Sequence, residues 1–264
     1  MKEIIKAEGL SRFYGKNEVV KDVSFSIKTG ESIGIIGPNG SGKTSLLEML
    51  SGVILAETGE IYYKNKNTED YSAKELAQSL AVLQQDALPM LDFTVRQVVK
   101  MGRYPYQNWL GEEKGSIEGF IDQILKKMTL FSLQDRELNQ LSGGERQRVA
   151  LAKVMVQEPS LVMLDEPTTY LDIGHQIQLM DQIRTWQKES NLTVISVLHD
   201  LNLAALYCEQ LILMKEGKII KKGKADEIIK KEIIEEVYGT SPIIVEHPSA
   251  KVPQIILERN TNYF

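Results

Sequence analysis

The chain has 264 residues, 42% of them hydrophobic and 25% charged, enough apolar material for a substantial core and against a disordered chain. Its formal net charge of −5 excludes a global positive field for nucleic acid or acidic lipid, and no apolar run approaches the ~18 residues needed to cross a bilayer. The single cysteine, Cys208, cannot form an internal disulfide and, set in an apolar, helical-looking stretch, reads as a small core residue.

The chain opens MKEIIKAEGL, with Glu3 and Glu8 where a secretory signal would be apolar, so it is expected to stay in the cytoplasm. The first strong element is a short apolar strand, Glu31 to Ile36. It enters the loop Gly37-Pro38-Asn39-Gly40-Ser41-Gly42-Lys43-Thr44, and a helix from Thr44 to Leu50 leaves it. The form is G-x-x-x-x-G-K-[ST]. Its glycines let consecutive backbone N–H groups converge on phosphate oxygens, and the helix start aims its positive end at the anion. Lys43 is expected beside the β- and γ-phosphates of a nucleotide, with the Thr44 hydroxyl on Mg²⁺.

From about Leu88 to Leu138 no strand pattern follows the opening loop. Ile117, Phe120, Ile121, Ile124, Leu125 and Met128 instead keep i, i+3, i+4, i+7 spacing, which predicts an inserted helical subdomain. Next comes Leu141-Ser142-Gly143-Gly144-Glu145, starting a helix backed by Val149, Leu151 and Ala152. Its amides and dipole could clamp a phosphate. In Leu161 to Glu166 four apolar residues predict a buried strand with two carboxylates at its C-terminal end, where open α/β sheets hold ligands. Asp165 is the candidate for hydrated Mg²⁺. Glu166, pointing to the other side of the strand, is the candidate to polarise a water against the γ-phosphate.

Gln176 to Trp186 predicts a crossover helix with Ile177, Met180, Ile183 and Trp186 on one side, and Val194 to Leu198 and Leu211 to Met214 predict further buried strands. Such alternation implies an α/β fold with a mostly parallel sheet. The tail after Gly239 is proline-punctuated and carries no motif.

Tyr14 in Phe13-Tyr14-Gly15, Gln85 in Leu83-Gln84-Gln85, the LSGGE string, Leu161 to Glu166, Leu171-Asp172 and His199 resemble the ordered motifs of an ATP-binding-cassette ATPase. The resemblance implies a P-loop NTPase (RecA-like) core with a mostly parallel sheet, an antiparallel β subdomain and a helical subdomain inserted at about 88–155. These make a single domain, 1–240, followed by a tail, 241–264. Tyr14 would stack on adenine, unless it is an ordinary aromatic at a strand end. Gln85 would touch the metal shell and the attacking water, with Gln84 leaving the register open by one. His199 would hydrogen-bond the γ-phosphate and orient Glu166, and Asp172 would act as a switch at the dimer interface. Ser142, Gly143 and Gly144 would cap the nucleotide of a second copy, so that two ATP molecules join two chains head to tail. His175 and His247 gain no role from the motif order.

Pro167 to Ile173 with His175-Gln176, Met101 to Tyr106, and Leu198 to Ala205 resemble the ATPase subunits of importers for ferric siderophores, haem and vitamin B12. That resemblance implies two integral membrane permease subunits, indirectly an extracytoplasmic substrate-binding protein, no nucleic acid, and a peripheral place on the cytoplasmic side of the membrane. The aromatic run Arg103 to Trp109 would receive a permease helix, or else form a small aromatic core of the insert. Two departures stand out: Gln84 where proline is common, and Glu145 where glutamine is common. The rival classes are a soluble cassette acting on nucleic acid, disfavoured by the single cassette and acidic balance, and a non-hydrolysing regulatory cassette, disfavoured by Glu166 and His199.

Overall fold

The computed structural model describes residues 2–84, 88, 92–108, 111, 113 and 115–258. In chain order come β1 (Glu3–Tyr14), β2 (Asn17–Lys28), β3 (Ser32–Ile36), α1 (Lys43–Leu50), β4 (Thr58–Tyr63) and β5 (Lys66–Asn67). Then follow α2 (Ala73–Ala77), β6 (Leu80–Leu83), α3 (Val95–Met101), α4 (Glu118–Lys127), α5 (Gly143–Val156), β7 (Leu161–Asp165) and α6 (Ile173–Ser190). The chain continues through β8 (Thr193–Val197), α7 (Leu201–Tyr207), β9 (Gln210–Lys215), β10 (Lys218–Gly223), α8 (Ala225–Ile228), α9 (Lys231–Tyr238), β11 (Ile243–Glu246) and β12 (Pro253–Ile256). Two compact units result, Met1–Asn67 with Thr193–Phe264, and Thr68–Leu192. The expected insertion at 88–155 falls wholly within the second.

In the first unit, β8, β3 and β9 run parallel, with β3 in the middle and β10 antiparallel outside β9. Every residue of β3 and β8 is buried. That is why both are mostly apolar and neither alternates apolar with charged residues, the polar members Ser32, Thr193 and Ser196 being buried too. A separate antiparallel sheet has the order β2-β1-β4-β5. Within the motif-poor tail β11 and β12 form a hairpin, Ile243 opposite Ile256 and Ile244 opposite Ile255.

In the second unit β6 and β7 pair in parallel, Leu80 with Leu161 through Leu83 with Leu164. The helical part is held by the apolar faces that the spacing predicts: Ile121, Ile124, Leu125 and Met128 are buried, as are Val95, Val98 and Val99 of α3. Arg96 adds a polar clasp, its guanidinium donating to Asp122 at 2.7 Å and Glu118 at 2.8 Å on α4.

One face was misassigned from spacing. On α6 the buried stripe is Leu179, Met180, Ile183 and Trp186, while Ile177 is 45% exposed. Each residue turns a helix by about 100°, so steps of three drift across its surface and set Ile177 about 180° from Trp186. Cys208, likewise, is the C-terminal cap of α7 and not a helical residue.

Candidate functional site

The glycine loop owes its shape to backbone crowding in the first unit. Gly42 has φ 95°, and a Cβ there would fall inside contact distance of the Val19 carbonyl; a Cβ on Gly37 would do the same to the Met214 carbonyl. Side chains are therefore excluded, and the loop runs against β2 and β9 with its amides uncluttered. Lys43 is only 5% exposed, and its ammonium donates to the carbonyls of Gly37 at 2.9 Å and Pro38 at 3.0 Å. Asn39, Gly40 and Thr44 are exposed. The Ser41 hydroxyl is buried with no hydrogen-bond partner among the described residues. A buried cation, an unpaired hydroxyl and glycine amides together fit a phosphate chain.

His199 is exposed just beyond β8. Asp200 after it caps α7, its carboxylate accepting from the N–H groups of Asn202 at 2.7 Å and Leu203 at 3.1 Å. Tyr14 ends β1 beside the tight turn at Gly15 and is 48% exposed, with the Arg12 guanidinium 5.5 Å from its ring centre. One face of the ring thus carries the guanidinium, while nearly half of the residue is open to solvent.

In the second unit β7 delivers Asp165 at its end, and Glu166 follows with φ 48°. That left-handed conformation is uncommon for a glutamate and is the kind of strain that accompanies functional positions. It also means that the turn, and not strand alternation, sets the direction of Glu166. The Thr169 hydroxyl donates to its carboxylate at 3.2 Å. Gln147 on α5 donates to the Pro167 carbonyl at 2.9 Å, and Gln176 on α6 to the Leu171 carbonyl at 3.0 Å, so both helices brace the loop after Glu166. Thr169 and Gln176 lie in segments that carry the family resemblance, but these bonds had no signature of their own in the sequence, and Gln147 carried none at all.

Ser142 begins α5 with a capping box: its N–H and hydroxyl donate to Glu145 at 2.8 Å each, and its oxygen accepts from the Glu145 N–H. The backbone and then the hydroxyl of Ser142 hold the Glu145 carboxyl below its ordinary range. Glutamate at this departure from the family pattern therefore completes the cap. Gly143 has open space where a Cβ would stand. Asp172 caps α6, accepting from the His175 N–H at 2.9 Å and pairing with His175 Nδ1 at 2.8 Å. The His175 backbone first, then its ring, lowers the Asp172 carboxyl. His175, given no role by the motif order, lies against Gly144.

Gln85 lies outside the described residues, as does Trp109. Of the aromatic run, Tyr104 is 60% exposed but Arg103 is buried, pairing with Glu113 and Glu158 and donating to the Val156 carbonyl at 2.7 Å. Tyr106 stacks on that guanidinium, 3.9 Å from ring centre to carbon. Within the run, then, the buried residue is the paired Arg103, with Tyr106 half-buried against it.

The family model described as ABC transporter matches residues 20–169. The chain is 41% identical over 257 residues to the ABC transporter ATP-binding protein YvrA of Bacillus subtilis (strain 168), covering 96% of this chain and 58% of that longer protein. It is 36% identical over 252 residues to the ferric enterobactin transport ATP-binding protein FepC of Escherichia coli (strain K12), covering 96% of this chain and 93% of that one. Among solved structures, cbiO1 from Clostridium perfringens, part of the ABC transporter complex cbiONQ, superposes with a TM-score of 0.77 at 32% identity, over 89% of this chain and 94% of that one. The dimeric structure of MJ0796, a bacterial ABC transporter cassette, gives 0.74 at 28% identity, over 84% and 98%.

Proposed function

Because the chain belongs to the ABC transporter family as an ATP-binding subunit and ATPase, we propose that it powers an importer of iron chelates, with a ferric siderophore as the leading cargo. The cargo reading is supported by the relative named for ferric enterobactin transport, which aligns over nearly its full length. The observation that carries the chemistry is the buried Lys43, held by the Gly37 and Pro38 carbonyls at the mouth of an amide-lined loop.

Lys43 binds the β- and γ-phosphates, and Tyr14 stacks on the base. The exposed Thr44 hydroxyl and the Asp165 carboxylate are hard oxygen donors suited to Mg²⁺, with Gln85 as a third contact. When bound, Mg²⁺ neutralises charge building on the transferred phosphoryl oxygens. Glu166 takes the proton of the attacking water, and His199 donates to the γ-phosphate. Ser142, Gly143 and Gly144 of the partner copy close over the same nucleotide, with Asp172 carrying the state of one site to the other. Closure on ATP and reopening after hydrolysis move two permease subunits between access states, with cargo handed over by an extracytoplasmic binding protein. The helical stretch at 88–155 is the permease-facing part, and the chain works on the cytoplasmic face of the membrane. Among the described residues no helix is long and apolar enough to cross it.

The test is Glu166→Gln and Lys43→Ala. Glu166→Gln should bind ATP and dimerise while turnover falls at least about a hundredfold; a near-normal steady-state rate removes Glu166 as base. Lys43→Ala should lose ATP binding, and unchanged affinity contradicts the loop assignment. Cargo is read from growth of a deletion strain on single iron sources, where normal growth on every ferric siderophore rejects that cargo.

A further inference from the structure

The C-terminal element reaches the start of α7 in its own unit. Tyr238, the last residue of α9, is partly buried. Gly239 follows in the left-handed conformation, φ 70°, and turns the chain into the β11–β12 hairpin. β12 then lies on α7. The Asn202 side-chain amide closes a two-way pair with the Ile255 backbone: Nδ2 donates to the Ile255 carbonyl at 3.1 Å, and Oδ1 accepts the Ile255 N–H at 2.6 Å. Only an amide can donate and accept in this way from one side-chain end. Gln254 adds a third link, donating to the Asn202 carbonyl at 3.4 Å.

Asn202 stands in the first turn of α7, directly after His199 and its neighbour Asp200. His199, Asn202, Tyr238, Ser241 and Ile255 line one cavity of about 360 Å³, so the exposed histidine faces the hairpin side of the molecule. The start of α7 is consequently fixed twice, from within by the Asp200 cap and from outside by β12. A group that must meet a phosphate oxygen works only within about 2.6–3.2 Å, so small drifts of its backbone matter.

We propose that the segment from Tyr238 to Ile256 is a brace that sets His199 by holding the start of α7, with Asn202 as its positioning residue. The inference rests on the reading of His199 as the group that meets the γ-phosphate. Asn202 bonds the tail and no residue of the glycine loop, so the brace governs turnover and not ATP affinity.

The test uses the full-length chain, with steady-state MgATP hydrolysis and nucleotide affinity measured for Asn202→Ala, Asn202→Asp and His199→Ala, and for Asn202→Ala combined with His199→Ala. Asn202→Ala should lower kcat about tenfold while nucleotide affinity stays within about twofold. Asn202→Asp, which keeps the acceptor for the Ile255 N–H, should recover part of the loss. In the His199→Ala background Asn202→Ala should cost nothing more, the non-additivity expected of residues acting through one another. Wild-type kcat in Asn202→Ala overturns the brace, as does an equal loss with and without His199. Full turnover in His199→Ala overturns instead the role of the histidine, whatever Asn202 does. Should Asn202→Ala fail to fold, Asn202→Asp, which loses only the donor to the Ile255 carbonyl, carries the same kcat-against-affinity comparison.

Discussion

His175 occupies the space that a side chain on Gly144 would need: a Cβ built there would stand 2.9 Å from His175 Cδ2 and 3.2 Å from Nε2. The ring is not free to swing, because its Nδ1 is held 2.8 Å from the Asp172 carboxylate. The first turns of α5 and α6 therefore rest on each other through a glycine and an imidazole. Gly144→Ala should destabilise the protein, although alanine favours a helix over glycine by about 1 kcal/mol. In a His175→Ala background the sign should reverse, to a gain of up to about 1 kcal/mol. Urea unfolding of the four proteins of this cycle decides it; destabilisation of equal size in both backgrounds would reject the contact.

Gly40 and Gly42 both have positive φ, 76° and 95°, yet they face different surroundings. Nothing lies within 4 Å of a Cβ on Gly40, whereas one on Gly42 collides with the Val19 carbonyl of β2. Gly40→Ala should cost about 1 kcal/mol for its dihedral alone, and Gly42→Ala clearly more, since backbone must also move. Thermal melts of the two variants compare them directly; equal losses would mean that φ alone is at work.

The Glu145 carboxyl is held below its ordinary range by hydrogen bonds from Ser142. A lowered folded value means that the unfolded chain binds more protons in that acid window. The contribution to stability is thus complete above the ordinary glutamate range, near 4.3, and is lost as pH falls through the folded value. Glu145→Gln retains a capping partner without the charge. Its stability deficit relative to wild type should be present at neutral pH and shrink on acidification; a deficit that grows toward acid pH contradicts this sign.

Burial pushes the Cys208 thiol up to about 12, from an ordinary value of 9.0. Its sulfur also packs beneath Gly34, where a Cβ would stand 2.9 Å from it. Since the thiolate is the reactive form, folded protein should resist iodoacetamide at pH 8 and react on unfolding. Rapid labelling of the folded chain, followed by mass spectrometry, would argue against that packing.

What the sequence by itself determined were features carried by one continuous segment with a local signature. The phosphate loop is legible because glycine, lysine and threonine are consecutive and their dihedrals and charges act locally. The strands β3, β7 and β8 are legible as apolar runs, and α4 by the period of its buried face. The Ser142 start of α5 belongs with them, since a cap and its partner lie three residues apart. Only the tertiary structure decided which segments meet. It set His175 on Gly144, Arg103 among its two glutamates, and Asn202 on a tail that carries no motif. It also turned Ile177 outward and Leu179 inward on a helix whose apolar positions permit more than one face. The physical reason is common to all of these: periodicity and backbone preference are properties of a segment, whereas a hydrogen bond between a short polar side chain and a distant backbone exists only once packing has chosen the two faces that touch.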